Sequence, residues 1–209
     1  GGNAYPVPVE DYIIGMAAMQ IPADYEKETI KAQMIIARTY LYSLMGEESS
    51  IPESAIDADI MTEKEMRKTW GKESFLDCCQ TFADAARETR GTVAAFEGTA
   101  IAPLFHRISA GKTRKGDALH PYLASADCGK DVEAEGYLTS VIFTPEEFCR
   151  RLNEMDHSLQ LTPKEAYQSL QIVERDESGY VIQMKVGERI YTGEEIQYAL
   201  GLKSAAFCL

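Results

Sequence analysis

The sequence is short of positive charge, and several familiar catalytic signatures are missing from it altogether. Its 209 residues carry 21 Lys and Arg against 33 Asp and Glu, a net charge of -12. A surface this acidic argues against coating nucleic acid or an anionic membrane. Nowhere do 18 successive apolar residues occur, so this segment holds no bilayer-spanning helix. GxSxG and HExxH are absent, and no glycine-rich phosphate loop follows a strand. Gly111-Lys112-Thr113 matches the tail of such a loop, but its first glycine would fall at His106.

Metal and disulfide frameworks are equally poorly represented. Cys78, Cys79, Cys128, Cys149 and Cys208 are an odd set with no CxxC pair. Vicinal cysteines such as Cys78 and Cys79 seldom bond to each other, because the ring they close is strained. Most of the five are expected to be small buried hydrophobes. His106 and His120 flank a basic loop with Cys128 close behind, but the spacing fits no standard zinc pattern. Neither a metal nor an organic cofactor is expected.

What remains is an ordinary globular balance, 45% apolar and 26% charged, long enough for one large domain or two small ones. After the lead-in with Pro6 and Pro8, Ile13, Met16 and Ala17 recur at helical spacing, predicting a helix over 10–19 that Pro22 stops. Gln20 therefore stands at the C-terminal end of that helix on its inward side. A longer helix is predicted from Asp24 or Tyr25 to Met45, with Ile30, Met34, Ala37, Leu41 and Leu44 as its core stripe. Lys31 and Arg38 lie two turns apart on it, roughly 10.5 Å along the axis. Both border the apolar stripe, where they either snorkel to water or face a ligand.

Further on, Thr62 opens a short charged helix ending before Gly71, and residues 81–90 read as a helix stopped by Gly91. Thr92–Phe96 and Ala100–Arg107, joined by Glu97-Gly98, predict a β-hairpin. The loop Ser109-Ala110-Gly111-Lys112-Thr113 follows, and Lys112, Arg114 and Lys115 make the one dense cationic cluster, a candidate anion-recognising rim. Thr144-Pro145-Glu146-Glu147 predicts a helix start with a capping box. Residues 169–174, 179–186 and 189–191 alternate as strands, and Thr192 caps a helix over 193–200. Helices and strands mix without a βαβ rhythm, so the fold class is α+β. It is expected as one domain, with a groove-forming core over 5–126 and a C-terminal part over 127–209.

Several stretches together resemble the stage II sporulation protein D family, which is related to the amidase enhancer proteins. The likeness starts with Val9-Glu10-Asp11-Tyr12-Ile13-Ile14-Gly15-Met16 and Pro22-Ala23, then Glu28-Thr29-Ile30-Lys31-Ala32-Gln33 and Ala37-Arg38-Thr39-Tyr40. It continues through Ala86-Arg87-Glu88-Thr89-Arg90-Gly91, Phe105-His106 and Pro121-Tyr122-Leu123. Ser178-Gly179-Tyr180-Val181 and Thr192-Gly193, running on to Ala199-Leu200-Gly201-Leu202-Lys203-Ser204, resemble the end. The resemblance implies lytic transglycosylation of peptidoglycan strands stripped of their stem peptides, during engulfment of the developing spore. A Glu on the first helix would protonate the bond between MurNAc and GlcNAc, then take the proton of the MurNAc 6-hydroxyl as a 1,6-anhydro ring closes. That role needs a carboxyl with a raised pKa.

Here the chain departs from the family. The usual Glu-Met-Pro stands as Gln20-Ile21-Pro22, and a carboxamide cannot pass a proton. A Ser-Thr-Ser-Gly-Gly-like run stands as Arg107-Ile108-Ser109-Ala110-Gly111, and where some relatives place zinc-binding Cys or His, residues 112–117 offer neither. Loss at two places favours divergence over a single laboratory Glu-to-Gln substitution. Lys31, Arg38, His106, Ser109, Lys112 and Tyr122 are the substrate-binding positions that the resemblance implies, lining a groove between the N-terminal helices and the hairpin loop. The expectation is thus a protein that binds glycan strands and is catalytically impaired. The alternatives are an active transglycosylase using another acid, with Asp24, Glu26 and Glu28 the nearest in sequence, or a scaffold without sugar binding. The resemblance also places the protein outside the cytoplasm of a sporulating bacterium, with stage II sporulation proteins P and M as candidate partners. The opening Gly1-Gly2-Asn3 leads us to expect a removed signal or anchor before it.

Overall fold

Apolar stripes at helical spacing in the first half, and alternation in the last third, give the chain two different cores. A computed structural model describes residues 5–164, 166 and 168–209, so the opening Gly1-Gly2-Asn3 lies outside the described residues. The chain divides into two compact units, one ending at Phe105 and one running from His106 to Leu209. Among the described residues they hold five α-helices and two small antiparallel sheets, an α+β fold.

The first unit is built from three helices: α1 (Val9–Gln20), α2 (Lys27–Met45) and α3 (Glu63–Glu88). Ile13, Met16 and Ala17 of α1 pack with Ile30, Met34, Ala37 and Leu41 of α2, as their spacing requires. Leu44, read as the last member of that stripe, is exposed instead, because the helix end has passed beyond the packed surface. Phe75, Phe82, Ala85 and Ala86 close the core from α3. Pro22 ends α1 one residue after the extended Ile21, whose N–H still bonds Ala17 O at 3.0 Å.

The helix opened by Thr62 breaks at Gly71, where its end is expected, and the second stretch of α3 begins directly beyond that kink rather than at residue 81. Gly71 has φ 73°, a left-handed conformation that only glycine adopts cheaply, and the helix restarts immediately beyond it. Thr62 caps the run through a full capping box with Glu65, the Thr62 N–H donating to Glu65 Oε2 at 2.8 Å. The predicted hairpin is real but much shorter: β1 (Ala95–Phe96) pairs with β2 (Thr99–Ala100). One further bond, Ile101 N–H to Ala94 O, extends it, and Pro103 then lacks the N–H a longer ladder would need.

The second unit holds α4 (Pro145–Met155), β3 (Leu170–Arg175), β4 (Val181–Val186), β5 (Arg189–Thr192) and α5 (Gly193–Leu200). The strands form an antiparallel meander in the order β3-β4-β5, with a register irregularity between Ile172 and Arg175. Val181, Met184 and Val186 turn one face of β4 onto Leu152 of α4 and Ile196 and Leu200 of α5. Thr192 caps α5 with a capping box to Glu195. A Cβ on Gly193 would lie 2.1 Å from Val181 O, so the first turn of α5 can sit against β4 only with glycine there. Thr144 caps α4 by accepting from the Glu147 N–H at 3.2 Å. The expected capping box is not completed, because the Glu147 carboxylate bonds Arg151 one turn along.

All five cysteines are free thiols, and only Cys149 is buried. Cys78, Cys79 and Cys128 are half-buried and Cys208 is exposed, which corrects the expectation of mostly buried sulfurs. Among the described residues no helix is long and apolar enough to cross a membrane.

Candidate functional site

Gln20 closes α1 because Pro22 forbids another turn, and this leaves its side chain half-buried beside α2. Its partner is Gln33, whose Nε2 donates to Gln20 Oε1 across the two helices. Gln33 is only 4% exposed, and it is the one residue of the region that the sequence reading left out of the site. Asp24, Glu26 and Glu28 make no hydrogen bond to Gln20, and Glu28 is turned to Lys31 at 3.0 Å. No carboxylate among the described residues therefore hydrogen-bonds the carboxamide.

Lys31 sits between two carboxylates, Glu28 at 3.0 Å and Glu88 at 3.7 Å. The bond to Glu28 raises the Lys31 pKa above the ordinary lysine range, with Glu88 adding to it. Glu88 in turn is held below the usual carboxylate range, first by its 2.6 Å bond to Lys27. Lys31 keeps a quarter of its side chain in solvent, so it remains reachable by a ligand anion.

Arg38 does neither of the two things the sequence allowed. It is fully buried, at 0% exposure, and does not snorkel to water. Its Nε and one terminal nitrogen grip the Glu10 carboxylate at 2.9 and 2.8 Å, a bidentate pair joining α2 to the first turn of α1. The remaining donors reach Thr92 O at 3.0 Å and Ala86 O at 3.2 Å. The guanidinium thereby ties α1, α2 and the end of α3 together, and it has no surface left for a ligand. Glu10, bonded to Arg38 before all other influences, is pushed below the usual carboxylate range.

In the second unit the expected site residues lie on an irregular loop that borrows its order from hydrogen bonds. Ser109 is 4% exposed, and both its N–H and its hydroxyl donate to Asp131 Oδ2 at 2.7 Å. The Ser109 backbone bond, then its hydroxyl, hold Asp131 below the usual carboxylate range, with a smaller electrostatic contribution from the exposed His106. Asp131 thus fixes Ser109 directly and senses His106 only through charge. Lys112, half-buried, makes an antiparallel bridge with Asp127, flanked by bonds from Thr113 N–H to Ala126 O and Cys128 N–H to Gly111 O. Tyr122 is half-buried and meets His120 edge-on, with ring centroids 6.0 Å apart.

The cationic cluster beside this loop is smaller than it reads. Arg114 bonds Asp176 at 2.8 Å and also Glu194, and lies over the Tyr180 ring. It therefore anchors the loop to the meander and to α5, and only Lys112 and Lys115 remain of the proposed rim. Tyr180 assists by accepting from Ala110 N–H at 3.3 Å. Asp131, Asp176 and Tyr180 are not among the site residues that the sequence suggests, since nothing in local spacing signals a contact 22 to 70 residues away.

The chemistry open to this arrangement follows from its carboxyl groups. Glu10, Glu65, Glu88, Asp117, Asp131 and Asp156 are all pushed down, each held ionised by hydrogen bonds. None of these six is poised to donate a proton near neutrality. No group of three or more His, Cys, Asp or Glu among the described residues has a metal-holding arrangement.

Residues 3–96 match the model of the family described as Stage II sporulation protein. Over 96% of its length the chain is 27% identical to the stage II sporulation protein D of Bacillus subtilis (strain 168) and 28% identical to that of Bacillus amyloliquefaciens. It spans 60% of the length of each of these relatives. An uncharacterized protein of Brachyspira hyodysenteriae is 28% identical over 55% of this chain and 30% of its own. The chain is thus similar to the stage II sporulation protein D family, through the family model over residues 3–96 and through these relatives over 96% of its length.

Proposed function

We propose that this protein acts in sporulation, binding peptidoglycan glycan strands outside the cytoplasm of a sporulating bacterium without cleaving them. The observation that carries the proposal is the carboxamide of Gln20 at the end of α1, hydrogen-bonded to a second carboxamide where the reaction requires a carboxyl group. A carboxamide donates and accepts hydrogen bonds with the sugar but has no titrating proton to give. General acid–base assistance is worth about 10²–10⁴-fold, and its loss leaves recognition without useful turnover. Lys31 in the first unit, and His106, Lys112 and Tyr122 in the second, each at least partly exposed, are proposed as strand-contacting residues of their own units. Ser109 serves by holding its loop, and Arg38 by holding the helices.

The test is Gln20→Glu, assayed on denuded glycan strands for products with 1,6-anhydro ends. Gain of anhydro products in the variant supports a decayed cleavage site. Absence of any change, in a folded variant that still binds strands, argues against it. A second reading, an interaction protein without sugar binding, is favoured by Arg38 and Arg114 being consumed in internal ion pairs. Co-sedimentation with glycan strands that is insensitive to Lys31→Ala and Lys112→Ala would select that reading. Stage II sporulation proteins P and M are the partners proposed for either case.

A further inference from the structure

Resting on the reading of position 20 as a ligand position, we infer that Gln33 is a positioning residue that aims the Gln20 amide nitrogen outward. The position then recognises a hydrogen-bond-accepting oxygen of the ligand and offers it no acceptor in return.

The argument begins with Gln33, which projects from the inner face of α2 and is 96% covered by its neighbours. Its Nε2 donates to Gln20 Oε1, and that bond occupies the carbonyl of Gln20. The Gln20 Nε2 makes no bond to any described residue. No buried side-chain nitrogen or oxygen among the described residues lacks a partner, so this NH2 group lies open to solvent. Exchanging oxygen and nitrogen in both amides would keep the contact but put an NH2 with two protons to hydrate, in place of a carbonyl, at Gln33, where only 4% of the residue meets solvent. An under-satisfied carbonyl is tolerated there more readily than an orphaned N–H, which selects the orientation given.

Two consequences follow for the ligand. A sugar hydroxyl, ether or acetamido carbonyl oxygen can accept from the Gln20 NH2, whereas a ligand N–H finds no acceptor at this position. The same donor from Gln33 would stabilise the ionised form of any carboxylate placed at position 20, opposing the raised pKa that proton donation needs. The site is thus set for holding an oxygen still rather than for protonating it.

The experiment reads both consequences by NMR with no glycan present, so its failure is separable from failure of glycan binding. In the unaltered chain the Gln20 side-chain NH2 should exchange with water at least tenfold faster than that of Gln33. In Gln20→Glu, the carboxyl at position 20 should titrate lower by roughly 0.5–1 pH unit than in Gln20→Glu with Gln33→Met. Met approximates the volume of Gln, and Trp70 fluorescence checks that each variant folds. A protected Gln20 NH2, or a titration midpoint that stays put or falls when Gln33 is replaced, would overturn the inference. Should Gln33→Met not fold, Gln33→Glu supplies the second arm. An acceptor at position 33 turns the Gln20 amide round, and its NH2 should then become the protected one; an unchanged exchange rate again overturns the inference.

Discussion

Removing the Glu10 carboxylate should cost the first unit far more than its half-exposed position suggests. Glu10 is 28% exposed in its side chain, so a surface view predicts a loss of about 0–1 kcal/mol. Its partner decides otherwise. Arg38 has no exposure at all, and Glu10→Ala would leave that guanidinium charged, enclosed and facing only two carbonyls and a hydroxyl. Breaking a buried pair from one side costs about 3–5 kcal/mol, and water entering beside the vacated Glu10 places the expectation at the lower end. Arg38→Met, which removes the buried charge and leaves Glu10 free to hydrate, should cost less, about 2 kcal/mol. In the double variant the loss should fall well short of the sum, with a coupling of about 1–3 kcal/mol. The assay is urea denaturation followed by fluorescence of Trp70, the one tryptophan, which lies against Phe75 and Phe82 in the first unit. The pH dependence has a definite sign. Because folding lowers the Glu10 pKa, its contribution is fully present above the ordinary glutamate range and drains away as pH falls through the folded value. The gap between the unaltered chain and Glu10→Ala should therefore close only in acid. A loss below 1 kcal/mol, or additive single and double variants, would refute the reasoning and return Arg38 to the ligand-binding set.

Other perturbations probe the second unit. Asp131→Ala removes the common acceptor of the Ser109 N–H and hydroxyl, and should cost about 1–3 kcal/mol. Hydrogen exchange should report it as faster exchange of the Ser109 and Gly111 amides. In the unaltered chain the same protection should persist below the ordinary aspartate range, since Asp131 is pushed down, and be lost as pH falls through its folded value. Gly193→Ala places a Cβ against Val181 O and should destabilise α5 and the meander by about 1–3 kcal/mol, read by far-UV circular dichroism on heating. Arg114→Ala should cost about 1 kcal/mol or less, with a dependence on salt, because Arg114 and Glu194 are substantially exposed.

The elements that sequence disclosed well are those set by neighbouring residues. Thr62 and Thr192 sit three residues before a glutamate, and both form the capping boxes that this spacing invites. The apolar recurrence of Ile13, Met16, Ala17, Ile30, Met34, Ala37 and Leu41 is the core of the first unit. Where the outcome hung on a distant partner, local pattern failed. Thr144 has the same spacing to Glu147, yet Arg151 takes the carboxylate. Arg38 bordered an apolar stripe in a way that left snorkelling and ligand contact equally open, and Glu10, 28 residues earlier, decided for burial. Gln33 occupies a stripe position where an amide carries no distinguishing pattern, so its bond to Gln20 emerged only in three dimensions. The loop at 109–115 looked cationic because the acids that neutralise Arg114 lie 62 and 80 residues downstream. That position 20 carries a carboxamide is, by contrast, legible without any structure.

The central claim is recognition without cleavage, and digestion of purified denuded glycan strands by the unaltered protein tests it most directly. The account predicts that strands co-sediment with the protein while anhydro-MurNAc ends stay at the level of the buffer control. Release of anhydro-MurNAc products by the unaltered chain, with Gln20 in place, would contradict it.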